Sequence, residues 1–250
     1  MQMDDIVPGL LQKIQSQFDE RTYNSDKLKK ALQMMKSKKA TYLDVNDFAV
    51  EIGEILADVL GSNITAGVLP DGNMYFNIAD RLLNPTMQKN FELITGFAED
   101  VQTDLNNVAG LKLKAQIPGI SQDRIDGIVN RISSEADFEK AKWLLDEPIV
   151  NFSQSVVDDV IRANATFHAK AGLSPKITRR VSGHACDWCQ KLAGTYDYGE
   201  EPKDVYRRHE RCRCTVDYNP GEGKRQNVWT KAWVDPEKDA NLKARMQKGT

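Results

Sequence analysis

Apolar residues recur every three or four positions along most of the first 172 residues, which predicts a series of amphipathic helices. One stripe runs through residues 6–18, and a second, shorter stripe runs through residues 28–35. A third begins near Asp44, whose side chain is of a type that caps helix N-termini, and it stops at Gly61. The pattern therefore predicts three helices in the first 61 residues.

Helical periodicity resumes after Pro85 and continues through residues 87–108. Ser121 is the predicted N-cap of the next helix, and another helix is predicted at about residues 135–146. The last spans residues 148–172, with proline in the favoured first turn and glycine at the C-terminal end. Helix thus dominates the sequence up to residue 172.

The segment at residues 64–76 interrupts this pattern. Ile64–Leu69 and Met74–Phe76 are rich in apolar residues, and the Pro-Asp-Gly-Asn sequence between them is a strong turn signal. Two short apolar runs around such a turn are typical of a β-hairpin. The sequence therefore predicts a short hairpin here.

After residue 172 the pattern changes to short strands separated by turns. Three segments are candidate strands: Lys176–Val181, Thr195–Tyr198 and Arg213–Tyr218. The predicted fold class is mainly α, with a helical body at residues 1–172 followed by a small α+β module at residues 173–220. A charged C-terminal tail covers residues 221–250.

A module of this size holds too little apolar area to fold on its own core, so it needs a disulfide, a metal or another staple. The N-terminus is acidic and lacks the basic and apolar regions of a secretory signal, which favours a reducing compartment. All four cysteines lie between residues 186 and 214. Clustered cysteines in a reducing compartment indicate a metal site rather than disulfides.

The cysteines belong to two short motifs, Cys186-x2-Cys189 and His209-x2-Cys212-x-Cys214. A two-residue spacing lets one tight turn aim two ligands at the same ion, and thiolate and imidazole ligands suit a structural Zn²⁺. Five candidate ligands compete for four positions. The knuckle spacing favours Cys212 as the fourth ligand, but Cys214 would face the same side of a strand.

Other interpretations of these residues stay open. Cys186 and Cys189 could form a redox dithiol, or the cysteines could be buried thiols beside an ordinary histidine. His184 could be a spare ligand or an exposed loop residue, and His168 is expected to be a capping or interface residue. Glu210 follows His209 directly, but a neighbour in sequence is weak support for a general base.

Charge is distributed unevenly along the chain. Residues 1–169 hold 17 Lys/Arg and 25 Asp/Glu, a net charge of −8, whereas residues 170–250 hold 17 and 11, a net charge of +6. Four arginines surround the second motif and are candidate phosphate contacts: Arg207, Arg208, Arg211 and Arg213. Alternatively, they pair with Asp204, Glu210 and the acidic body. No apolar run approaches the roughly 20 residues of a membrane span, so no membrane partner is expected.

Residues 158–233 resemble the C-terminal domain of tailed-phage minor head proteins, the Mu F-like head morphogenesis family. The resemblance rests on the paired motifs in this order and on three sequences: Ala171-Gly-Leu-Ser-Pro-Lys176, Ala185-Cys-Asp-Trp-Cys189 and Leu192-Ala-Gly-Thr-Tyr196. It covers about a third of the chain, and the helical body matches only in general character. Members carry the cysteine and histidine elements at the five positions named above.

The resemblance implies a minor capsid protein that associates with the portal or the major capsid protein and supports head assembly and DNA packaging or ejection. It implies a location in the phage head, assembled in the cytoplasm of the bacterial host, and no enzymatic activity. Double-stranded DNA is a candidate partner of the basic C-terminal part. Two alternatives are a metal-dependent nuclease with a treble-clef-like site and a host zinc-binding adaptor.

Overall fold

The helical body and a small β-sheet follow one another along the chain in the computed structural model, which describes residues 5–183, 185–209, 211–221, 225–227 and 232–234. The body contains seven α-helices: α1 Val7–Asn24, α2 Asp26–Lys36, α3 Tyr42–Asn63, α4 Phe76–Val108, α5 Gln122–Ser134, α6 Phe138–Ala141 and α7 Glu147–Lys170. Then come β1 Lys176–Arg180, α8 Asp187–Leu192, β2 Gly194–Asp197, β3 Thr215–Asn219, β4 Arg225–Asn227 and β5 Ala232–Val234. The predicted fold class, a helical body followed by a small sheet-containing module, is confirmed.

The centre of the body is the packing of α3 against α7. Ile52 and Leu56 of α3 are almost completely buried, as are Val157 and Val160 of α7. Gly53 lets the two helices approach closely, because a Cβ atom there would lie 2.7 Å from the Ser153 hydroxyl oxygen. The apolar stripes predicted from sequence thus face one another across this helix pair.

Two helices begin earlier than the sequence predicts. Thr41, not Asp44, is the N-cap of α3, and Asp44 instead accepts a hydrogen bond from the Thr41 backbone N–H in a capping box. Helix α4 begins at Phe76 and passes through Pro85 without ending. Burial of Leu82, Leu83 and Met87 on one face of α4 outweighs the hydrogen bond that proline removes.

The predicted hairpin at residues 64–76 is wrong. The segment contains turns and a single 3-10 turn at Pro70–Gly72, with no strand. Ile64, Leu69 and Met74 are each buried against the helices rather than paired with one another, so packing on the body replaces strand pairing. The helix predicted at residues 135–146 is likewise divided into α6 and a 3-10 turn at Lys142–Leu145.

The module is built on a three-stranded antiparallel sheet of order β2-β1-β3. Ile177 in the central strand lies opposite Tyr196 of β2 and Tyr218 of β3. Ile177, Val216 and Tyr218 join the same hydrophobic core as the helices. In the tail, β4 and β5 pair antiparallel, and most of the remaining tail lies outside the described residues.

A buried polar cluster connects the sheet to the helices. The side-chain oxygen of Gln102 in α4 accepts hydrogen bonds from the hydroxyls of Tyr42 at 2.5 Å and Tyr218 at 2.9 Å. The Tyr218 hydroxyl is also 3.3 Å from Nδ1 of His168 in α7. His168 therefore lies at the interface between body and sheet. Every helix in the described ranges is too short or too polar to span a lipid bilayer.

Acid is expected to weaken this interface through His168. Burial lowers the pKa of His168, so the unfolded chain binds more protons and stability falls as the pH drops through the ordinary histidine range. The native chain is expected to have a larger free energy of unfolding than His168→Gln at pH about 7.5. This advantage is expected to be smaller at pH about 5.5. Urea unfolding followed by far-UV circular dichroism measures it, and a pH-independent difference would contradict it.

Candidate metal centre

The first motif lies at the start of α8. Cys186 is the N-cap residue of this helix and Cys189 is one turn along it, with the Gln190 backbone N–H donating to the Cys186 carbonyl at 3.0 Å. One helical turn therefore directs both sulfurs to the same side. Cys189 is buried, whereas Cys186 is exposed.

The second motif is a turn that leads into β3. The Cys212 backbone N–H donates to the His209 carbonyl at 3.1 Å, and Arg211 inside the turn has a left-handed φ of 56°. Cys212 and Cys214 are both buried beneath this turn. The two motifs, 20 residues apart in sequence, thus present their side chains to one another across the module.

Two of the distances between the motifs match those around a single zinc ion. Around a tetrahedral zinc ion two sulfurs lie about 3.8 Å apart, and a sulfur and an imidazole nitrogen lie about 3.5 Å apart. The sulfurs of Cys189 and Cys212 are 3.8 Å apart, and the Cys186 sulfur is 3.4 Å from Nε2 of His209. The Cys189 sulfur lies closer to that nitrogen, at 3.0 Å. The five predicted side chains therefore lie near one another, in two groups of three that share Cys189.

The cluster consists of two overlapping triads, Cys186–Cys189–His209 and Cys189–Cys212–Cys214. Within each triad, the ligand atoms lie within 4.8 Å of one another. Cys189 belongs to both. Burial raises the pKa of its thiol to about 12, with further contributions from Cys214 and Cys212. Such crowding opposes ionisation of several thiols together, and a bound cation would remove that opposition.

The pKa of Cys212, in contrast, is lowered. Burial is the largest single effect and acts against the thiolate, but hydrogen bonds from the Cys214 backbone and from the side chains of Cys214 and Cys189, with the charge of Arg208, together outweigh it. The pKa values of the two facing cysteines, Cys189 and Cys212, are therefore shifted in opposite directions. Cys212 is the one with donors and positive charge arranged around its sulfur.

Arg179 is a part of the site that sequence reasoning missed. It lies in β1, is 2% exposed, and directs Nη2 toward the sulfurs of Cys212 at 3.6 Å and Cys189 at 3.9 Å. Its guanidinium carbon is also 5.6 Å from the ring centroid of Trp188. The available signal was its position two residues after Ile177 in a predicted strand, which places both side chains on one face.

The prediction that Arg208 contacts a phosphate is corrected by its position in the structure. Its guanidinium forms a two-pronged ion pair with Asp158 of α7, at 2.5 and 2.8 Å, and the two side chains are 5% and 2% exposed. A third N–H donates to the Cys214 carbonyl at 2.6 Å. Burial raises the pKa of Asp158, an effect that Arg208 opposes. Arg208 therefore joins the metal motif to the body and is too buried to contact a phosphate.

The other three arginines also have partners. Arg213 pairs with Glu147 at the start of α7, with contacts of 3.0 and 3.1 Å. Arg207 pairs with Asp204 on the surface, and its side chain is largely exposed. For Arg207, Arg208 and Arg213 the structure agrees with the alternative of pairing with Asp204 and the acidic body. His184 and Glu210 lie outside the described residues.

The side chains gathered in this cluster are soft ligands that could bind a metal ion. Sulfur and imidazole donors converge at coordination distances from two turns that the helical body holds in place. The donors come from residues on both sides of β2, so a bound ion would connect α8 to the turn before β3. No protein-family model, no curated protein and no solved structure matches the chain.

Proposed function

We propose that the chain is a non-enzymatic minor head protein of a tailed phage, in which a structural Zn²⁺ fixes the C-terminal module on the helical body. The observation that carries the proposal is the convergence of the five motif side chains in one cluster beside the body. The same five positions carry the resemblance to Mu F-like head morphogenesis proteins.

The contacts around the cluster support a structural role. Arg208 pairs with Asp158, and Arg213 pairs with Glu147, so the turn carrying His209 and Cys212 is attached to α7 at two points. A module held in this way presents a fixed surface. Such a surface suits assembly with the portal or the major capsid protein better than chemistry on a substrate.

Zinc is preferred over the alternatives because of the donor set. Two buried sulfurs, of Cys189 and Cys212, and the exposed sulfur of Cys186 lie near one imidazole nitrogen and suit a tetrahedral site, whereas a redox dithiol requires only Cys186 and Cys189. A catalytic zinc would keep one position open for water. With five donors for four positions, the site has a protein ligand for every position.

Double-stranded DNA is a weaker candidate partner. Arg208 and Arg213 are engaged by carboxylates of the body, which removes two of the four arginines from a phosphate-binding surface. Contact with DNA would then depend on the largely exposed Arg207 and on the basic tail. The proposed role in DNA packaging or ejection therefore rests on association with the portal and does not require recognition of a DNA sequence.

Metal content tests the first half of the proposal. Purified protein is expected to contain about one zinc ion per chain, because a single closed tetrahedron accounts for the donors. Inductively coupled plasma mass spectrometry after gel filtration measures this, with Cys189→Ser as the depleted variant and Ser182→Ala as the matched control. A wild-type preparation without zinc after addition of the metal would contradict it.

Association with the head tests the second half. Tagged protein co-expressed with the portal protein of the same phage is expected to capture it, and purified virions are expected to contain the chain in few copies. Absence from virions together with failure to bind portal or procapsid would overturn the assembly role. Incubation with DNA and Mg²⁺, Mn²⁺ or Zn²⁺ is expected to leave the DNA intact, and metal-dependent nicking that Cys189→Ser abolishes would favour the nuclease.

A further inference from the structure

A buried positive charge lies directly against the sulfur cluster. The side chain of Arg179 is enclosed between β1, Trp188 of α8 and the loop that carries Val205 and Arg207. Its Nη1 donates to the Val205 carbonyl at 2.5 Å and to the Arg207 carbonyl at 2.9 Å. These two bonds fix the guanidinium plane, and they leave Nη2 directed at Cys189 and Cys212.

This arginine has no carboxylate in direct contact among the described residues. Its Nε has no hydrogen-bond partner there, and its Nη2 meets only the two sulfurs. Asp158, an acidic group that interacts electrostatically with Arg179, is already held by Arg208. A buried cation without an anion is strongly unfavourable, so the groups that Arg179 faces must supply negative charge.

A thiolate-bound zinc supplies that charge. Three thiolates and one neutral imidazole around Zn²⁺ carry a net charge of −1. Two of those thiolates, of Cys189 and Cys212, are buried and face Arg179. The N–H groups of an arginine can hydrogen-bond to ligand sulfurs and hold them in orientation, which is the usual role of groups surrounding a metal site. The guanidinium and the loaded site would then neutralise one another.

We propose that Arg179 is the positioning residue of the metal centre, which pairs with the thiolates of Cys189 and Cys212 and so makes Cys186, Cys189, His209 and Cys212 the four ligands. This inference rests on the proposed zinc site. Cys212 receives the nearer of the two Arg179 contacts, at 3.6 Å. Cys214 is then a buried neighbour of the four ligands rather than a ligand itself.

The affinity for zinc tests the role of Arg179. Competition with a chromophoric chelator is expected to show affinity for zinc about 10- to 100-fold weaker in Arg179→Met, since loss of a supporting hydrogen bond has effects of this size. Arg180→Met is the matched control, because Arg180 is the next residue of β1 and is exposed on the opposite face. Affinity of Arg179→Met within about twofold of the wild type would overturn the proposal.

Comparison of zinc-loaded and metal-free protein distinguishes a positioning role of Arg179 at the metal site from a general packing role. With zinc, Arg179→Met is expected to lower the melting temperature, whereas with excess chelator it is expected to leave it unchanged or raise it. The reason is that the metal-free site leaves Arg179 as an unpaired buried cation. An equal decrease under both conditions would show a merely structural arginine and overturn the proposal.

If Arg179→Met does not fold, Arg179→Lys serves the same two measurements. A lysine keeps the charge, but its single ammonium group cannot donate to two carbonyls and two sulfurs in the same geometry. Its expected zinc affinity is several-fold below that of the wild type, and wild-type affinity would again contradict the role. Failure of the wild type itself to bind zinc would instead refute the metal site of the proposed function.

The ligand assignment has its own test in the two neighbouring cysteines. Co²⁺ replaces Zn²⁺ in such sites, and its sulfur-to-metal absorption reports the number of bound thiolates. Cys214→Ser is expected to keep one metal and the wild-type spectrum, whereas Cys212→Ser is expected to lose absorption and affinity. The reverse result, or equal losses in both variants, would overturn the assignment.

Discussion

Replacing Asp158 by asparagine is expected to lower the free energy of unfolding by about 3–5 kcal/mol, because it leaves a buried guanidinium without its counter-charge. The Arg208 side chain is only 5% exposed and has no other carboxylate partner among the described ion pairs. Urea unfolding followed by far-UV circular dichroism measures the change. The loss is expected with and without zinc, since the pair lies between α7 and the module rather than in the cluster.

Asp159 provides the matched control. It follows Asp158 directly, but it pairs with Arg124 and Arg162, whose side chains are substantially exposed. Asp159→Asn is therefore expected to cost less than about 1 kcal/mol. Replacement of both buried partners, Asp158→Leu with Arg208→Met, is expected to recover most of the stability. A cost for Asp158→Asn no larger than that for Asp159→Asn would contradict the buried pair.

Removing the metal is expected to open the module locally. With a chelator, amide hydrogen exchange in β1 and β3 is expected to accelerate about 100-fold or more, which corresponds to roughly 3 kcal/mol of local stability. Protection in α3 and α7 is expected to remain, because their packing is independent of the cysteines. Hydrogen exchange read by mass spectrometry distinguishes the strands from the helices in one experiment.

The chelator is expected to have no further effect on Cys189→Ser, which lacks the cysteine shared by both triads. Loss of protection in α3 and α7 together with the strands would show that body and module unfold as one unit, contrary to the predicted boundary at residue 172. Unchanged exchange in the strands would mean that no ion stabilises them.

The helices could be predicted wherever burial of one face decides the structure. The stripe at residues 6–18 predicts α1, and the stripe through residues 148–172 predicts α7. Prediction failed where a local signal competes with packing at a distance. Pro85 is a strong helix breaker, yet Leu82 and Met87 on either side of it are completely buried, and α4 continues through it.

The candidate metal ligands could be predicted because their spacing is local, two residues within each motif. Arg179 and Asp158 could not be assigned to the site in this way. They are 33 and 50 residues from Cys212 and Arg208, and only the folded chain brings them together. A charged side chain at an inward position of a strand still indicates that a counter-charge must be buried nearby, and this signal can be read in other sequences.

The position of Tyr218 has a consequence for the order in which the protein is made. Helices α1 to α7 leave the ribosome before β3, so Gln102 and His168 have neither their hydrogen bonds to Tyr218 nor the cover of the sheet during that time. The nascent helical chain therefore carries an exposed polar and aromatic patch until residue 218 has emerged from the ribosome. The patch is open to a chaperone or an assembly partner at the ribosome only until then.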